Sequence, residues 1–178
     1  MAYCPPKTPA TGCLDVIIQE SIILPNFNRQ QSYNEFTVCG INNYVTRTEI
    51  IDSRWSGSGI GIIDFVGSPS EQTPGSFVNS DVKYIRITNI PTSPTFASIY
   101  IIKTNQESAL FKIEPGRSLV LSSDEFDASS TADYVDETYA DKQYFDDFIY
   151  MSEIKAKAGD SNGTFTGSIK IEYVVASA

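Results

Sequence analysis

Between Val82 and Leu121 the chain reads VKYIRITNIPTSPTFASIYIIKTNQESALFKIEPGRSLVL, four short apolar runs parted by turn chemistry. The first is rich in β-branched and aromatic residues, with Ile85 and Ile87 on one face and Lys83 and Asn89 beside them, until Pro91 and Pro94 break it. FASIYIIK follows, with Phe96, Tyr100 and Ile102 in period-two positions, and SALFKI ends at Glu114-Pro115-Gly116. There proline presets φ and glycine accepts a positive one, so a tight turn is expected before RSLVLS. Runs this short, with connectors of about two to six residues, predict consecutive antiparallel strands joined as hairpins.

The same grammar extends in both directions. LDVIIQESIIL (Leu14 to Leu24) reads as a strand closed by Pro25-Asn26, so continuously apolar that burial on both faces is expected. A polar loop, NFNRQQSYN, leads to EFTVCGI, and Asn42-Asn43 signals a hairpin into YVTRTEII. The glycine-serine loop SRWSGSG carries the only tryptophan, Trp55, ahead of the strand GIIDFV. Near the end, FIYMSEIKAKA sets Phe148, Tyr150, Ile154, Ala156 and Ala158 against Glu153, Lys155 and Lys157. After the turn cluster Gly159 to Gly163, Phe165, Ile169, Ile171, Tyr173 and Val175 alternate with Thr166, Ser168, Lys170 and Glu172, one face for the core and one for solvent. About nine to eleven short strands at regular spacing predict an all-β fold, an antiparallel β-sandwich of jelly-roll-like form. A chain of 178 residues suits one such domain, here 14–178. Residues 1–13 precede it as an extended arm, because Pro5, Pro6 and Pro9 withhold backbone donors.

Charge narrows the partners. The net charge of −9 opposes binding to nucleic acid or to an anionic membrane surface. It is concentrated between Ser122 and Glu153, where ten acids face a single base, Lys142. Residues around 122–147 therefore read as a long acidic, tyrosine-bearing insertion, of the length that is usually functional or disordered. Such charge runs are mostly solvated, and a partner-facing surface is expected there. No basic region followed by an apolar run opens the chain, and no apolar run approaches the ~20 residues that span a bilayer, so a soluble protein made in the cytoplasm is expected. Of the three cysteines, Cys4 and Cys13 leave a bridge open; reduced, partly buried thiols including Cys39 are the expectation for that compartment.

Histidine is absent from the sequence, which removes Ser-His-Asp and Cys-His nucleophile arrangements and the common zinc sites. Gly57, Gly59 and Gly61 lack the strand-then-helix setting and the Lys-Ser/Thr ending of a phosphate loop. The acid pairs Asp124-Glu125 and Asp146-Asp147 are adjacent, so on a strand they would point to opposite faces and not converge on a glycosidic bond. Asp160-Ser161-Asn162-Gly163 begins like a calcium loop but lacks the acid at the closing position. No catalytic residue, metal site or cofactor is expected, and the protein is expected not to be an enzyme. A carbohydrate- or calcium-binding module, stacking sugars on Trp55, Tyr134, Tyr139 and Tyr144, is the alternative from another class.

YIRITN, then FKIEPGRSLVL, an acidic loop, IKAKAG and a terminal IEYVVAS form a pattern over roughly the C-terminal half. It resembles small β-sandwich accessory virion proteins of tailed bacteriophages, those of cyanobacterial hosts in particular. The resemblance implies a structural virion protein assembled in the host cytoplasm: a capsid decoration (cement) protein on the major capsid protein shell, or a small neck or tail protein. It implies homo-oligomers and other virion proteins as partners, and no catalytic residues. On that reading the partner-facing candidates are Tyr3, Pro5 and Pro6 in the arm, Trp55 in the glycine-serine loop, and Tyr134 and Tyr139 in the acidic insertion.

Overall fold

The clearest alternation in the chain becomes a central strand of the fold. In the computed structural model, which describes residues 12–22, 30–52, 59–106, 108–122, 148–159 and 167–178, eleven strands form among the described residues. They are β1 (Gly12–Ile22), β2 (Gln30–Ile41), β3 (Asn43–Asp52), β4 (Ile60–Val66), β5 (Ser76–Val78), β6 (Val82–Asn89), β7 (Ala97–Lys103), β8 (Ser108–Ile113), β9 (Ser118–Ser122), β10 (Met151–Ala158) and β11 (Ser168–Ser177). A four-stranded sheet runs β3-β11-β6-β9 and a five-stranded sheet β5-β4-β10-β7-β8, while β1 and β2 form a sheet of their own.

The pairing is nested. β3 pairs with β11, β4 with β10, β6 with β9 and β7 with β8, all antiparallel. One long hairpin, closed at the β7–β8 turn and rolled over itself, gives this order, and that is a jelly roll. β5 is an addition, a three-residue parallel edge on β4. The expected all-β antiparallel sandwich is what forms.

The expected run of local hairpins from Val82 to Leu121 is not. β7 and β8 do pair directly, but β6→β7 and β8→β9 each cross from one sheet to the other. Turn chemistry marks where the chain reverses; it does not say whether the next strand joins the same sheet. The Glu114–Arg117 turn forms as expected, with the Arg117 N–H donating to the Glu114 carbonyl at 3.0 Å and Gly116 at φ 77°. It turns a corner of the sandwich rather than closing a hairpin. Asn42-Asn43 likewise joins two strands that do not pair, since β2 belongs to the separate sheet.

The core lies between the two large sheets. Ile85 and Ile87 of β6, and Ile169, Ile171, Tyr173 and Val175 of β11, face Ile99 and Ile101 of β7 and Ile154 and Ala156 of β10, all buried. Each such isoleucine removed from water contributes about 1.5–3 kcal/mol. Some boundaries shift from expectation. The strand expected from Phe148 starts at Met151, after a short 3-10 turn, and Lys157, expected on a solvent face, is buried. Gly12 and Cys13, expected in the arm, belong to β1, and the last residues of the polar loop NFNRQQSYN belong to β2.

Candidate interaction surface

The outer face of the four-stranded sheet is divided. At one end Tyr84, Val174, Ala176 and Val120 make it apolar; at the other, Thr88 bonds Ser118 at 2.8 Å and Arg86 pairs with Glu172 at 2.8 Å. An apolar outer face needs a cover, and the β1–β2 hairpin supplies it. Leu14 and Val16 of β1, with Phe36, Val38 and Ile41 of β2, pack on Tyr84, Val174 and Ala176 as a third layer.

The hairpin's register explains its two faces. Leu14 opposes Val38 and Val16 opposes Phe36, facing the sheet; Asp15 opposes Thr37, Ile17 opposes Glu35 and Gln19 opposes Tyr33, facing out. The expectation that this first strand is buried on both faces is therefore corrected. It alternates, and Ile17 on the outward face, 57 % exposed, is the residue that disguises the alternation. On the same outward face Thr37 donates to Asp15 at 2.7 Å and the Tyr33 hydroxyl to Glu35 at 2.9 Å. That bond, first, and then desolvation and the carboxylate charge hold the Tyr33 phenol above its ordinary value.

Cys13 and Cys39 stand directly opposite each other in this register and form a disulfide. The expectation of three reduced thiols is corrected for these two, and Cys13 is not bridged to Cys4. Spacing alone could not reveal the pair, because it depends on the register of β2 on β1; Cys4 lies outside the described residues.

Two concave features flank the sheet. A groove of about 610 Å³ runs between β1 and the sheet, lined by Val16, Ile18, Tyr44, Arg86, Ser118 and Val120 among others. A cleft of about 480 Å³ lies between the inner face of β3, at Asn43, Val45 and Arg47, and the segment Pro69–Phe77. Beside it, burial pushes the Tyr173 phenol above its ordinary value, partly opposed by its hydrogen bond with Arg47 and the charge of that guanidinium. Neither feature assembles a nucleophile, a general base or paired carboxylates. Among the described residues no group of three or more His, Cys, Asp or Glu side chains is placed to hold a metal ion, and no helix is long and apolar enough to cross a membrane.

Tyr3, Pro5, Pro6, Trp55, Tyr134 and Tyr139, read as partner-facing from the sequence, lie outside the described residues, as does the acidic insertion beyond Ser122. Among the described residues, the exposed large apolar positions that the sequence reading missed are Ile17, Ile18 and Tyr33 on the hairpin, Tyr44 and Ile50 on β3, Leu110 on β8, and Ile149 ahead of β10. Only a known register separates such residues from core positions of the same type. The fold and these surfaces define a jelly-roll β-sandwich carrying a disulfide-linked hairpin as a third layer, with most of the apolar exposure among the described residues on strand faces and edges. Comparison with protein-family models, with curated proteins and with solved structures gives no match to this chain.

Proposed function

We propose that the protein is a non-enzymatic structural component of a tailed-phage virion, a decoration or cement protein that binds the assembled major capsid shell. The observation that carries the reading is the hairpin layer. Its inward face is committed to the sheet, and its outward face presents Ile17 and Tyr33, at 57 % and 61 % exposure, to a partner. Jelly rolls serve viral capsids, lectins and cupins alike, so fold alone does not choose among them. Apolar side chains spread over flat strand faces suit a protein that packs against others. A cement protein needs no more than this, because binding only the assembled state stabilises that state by mass action. An exposed disulfide also fits a chain that is made in the host cytoplasm and works on a virion surface, where such bonds persist.

The test is co-sedimentation of the purified protein with shells assembled from its phage's major capsid protein, beside the unassembled subunits. The intact protein is expected to travel with shells and to raise their melting temperature; Ile17→Asp/Tyr33→Asp is expected to lose both effects while keeping its own fold. Association with tails or necks instead of shells would move the protein to that part of the virion. Association with none of these sinks the reading.

A further inference from the structure

The four-stranded sheet ends in β3, a ten-residue strand with no partner on its outer edge among the described residues. Exposed edges invite pairing, and proteins blunt them by shortness, lysine and other charges (some of them turned inward), proline or bulges. The other edges of the sandwich are treated in this way. β5 has three residues and β9 five, while β8 carries Lys112 and runs into Pro115. β3 is long, and its guard is a pair of charges of opposite sign on its inner face, Arg47 and Glu49. Its sequence, NYVTRTEIID, holds no lysine, proline or glycine, and its ladder with β11 is regular over its whole length. From Thr46 to Ile50 every residue is exposed, on both faces of the sheet, and Ile50 reaches 70 %.

The sequence of β3 also restricts what can pair with it. An antiparallel mate must oppose residues of equal parity, so that outward-pointing N–H and C=O groups meet. If two copies of β3 met with Arg47 at the centre, guanidinium would face guanidinium; with Glu49 at the centre, carboxylate would face carboxylate. Like charges directly opposite are destabilising, whereas opposite charges there attract. Centring on Thr48 avoids both clashes. Arg47 then faces Glu49 of the second copy, Glu49 faces Arg47, and Thr46 faces Ile50 at both ends of the contact. Val45 likewise meets Ile51, and Tyr44 meets Asp52.

We propose that β3 pairs antiparallel with β3 of a second copy about a two-fold axis at Thr48, joining two four-stranded sheets into one continuous sheet. The pairing is isologous, so it closes at a dimer rather than propagating. It adds a strand to an edge that is unpaired among the described residues and sets one inter-copy ion pair on each side of the axis. It stands independently of the virion reading, since it concerns only copies of this chain.

Sedimentation equilibrium with circular dichroism tests it on the full chain. The intact protein is expected at twice the mass of the 19.6 kDa chain. Arg47→Glu, which faces acid with acid, and Thr48→Pro, which removes a donor at the axis, are expected at the mass of one chain. The charge-swapped double variant Arg47→Glu/Glu49→Arg is expected to return to twice that mass, which a variant that merely damaged the fold would not do. Thr48→Cys in a Cys4→Ser background is expected to cross-link to its own mate on oxidation, whereas Thr46→Cys in that background, facing Ile50, does not. A wild-type mass of one chain at every concentration overturns the proposal. So does a dimer that survives both Arg47→Glu and Thr48→Pro, failure of the charge swap to restore a dimer, or cross-linking through Thr46→Cys in place of Thr48→Cys.

Discussion

Asn89 closes β6 fully buried, and this one residue holds three parts of the fold together. Its amide donates to the Thr95 carbonyl at 3.0 Å and to the Ile113 carbonyl at 3.0 Å, while its own backbone bonds Arg117 and Gly116. The proline-broken crossover and the end of β8 are thus tied to one side chain, and the Glu114–Arg117 turn to the same residue's backbone. Asn89→Ala removes the amide donor from one buried carbonyl, that of Ile113, and one part-buried, that of Thr95, at about 1–3 kcal/mol each. A loss of about 2–6 kcal/mol in urea unfolding is expected by the same reckoning; a loss within about 0.5 kcal/mol, as at ordinary surface sites, would mean that water replaces the amide. In the sequence Asn89 stands beside Lys83 as one more polar residue on a strand. Nothing local separates the half-exposed lysine from the buried amide, because the carbonyls it satisfies come from residues 6 and 24 positions away.

At the scale of one element, β11 shows where alternation is a sufficient guide and where it is not. Ile169, Ile171 and Tyr173 were expected in the core and are buried there, and Lys170 is exposed on the other face. Farther along that other face, Val174 and Ala176 are buried as well, because the β1–β2 hairpin lies over them. Ile171→Ala is expected to cost about 2–5 kcal/mol as a large-to-small core change. Lys170→Ala should stay within about 0.5 kcal/mol. Val174→Ala should cost about 2 kcal/mol, since two buried methyl groups and their packing are lost. Equilibrium unfolding of the three variants separates the two sides of the strand, and a Val174→Ala cost as small as that at Lys170 would show that the hairpin leaves this face open. β1 teaches the complementary lesson. A single apolar residue on its outward face, Ile17, was enough to make a half-exposed strand read as fully buried.

Across the whole molecule, two buried tyrosines report on its two interfaces: Tyr173 in the core between the large sheets, and Tyr84 beneath the hairpin. Burial raises both phenols above the ordinary 10.0; nearby Arg86 partly opposes this at Tyr84, as Arg47 does at Tyr173. A raised folded value means the folded state keeps its proton longer than the unfolded chain. The stability this contributes is complete below the unfolded value near 10 and is lost as pH rises through the folded one. Urea midpoints are therefore expected to hold to about pH 9 and fall beyond about pH 10, with a shallower fall in Tyr84→Phe and Tyr173→Phe. An equal fall in both variants would assign the alkaline loss to other groups. What the sequence determined by itself was local: an all-β chain, the Pro-Gly turn at Glu114–Arg117, the alternation of β11 and the absence of histidine chemistry. Those features follow from period-two side-chain direction and from the φ preferences of proline and glycine, which act over a few residues. Only the tertiary structure decided that β3 meets β11 and β4 meets β10, that Cys13 meets Cys39, and that the first hairpin roofs an apolar sheet face. Each of these depends on register between segments far apart in the chain, and a one-residue slip in register exchanges core for solvent without changing the pattern of either strand.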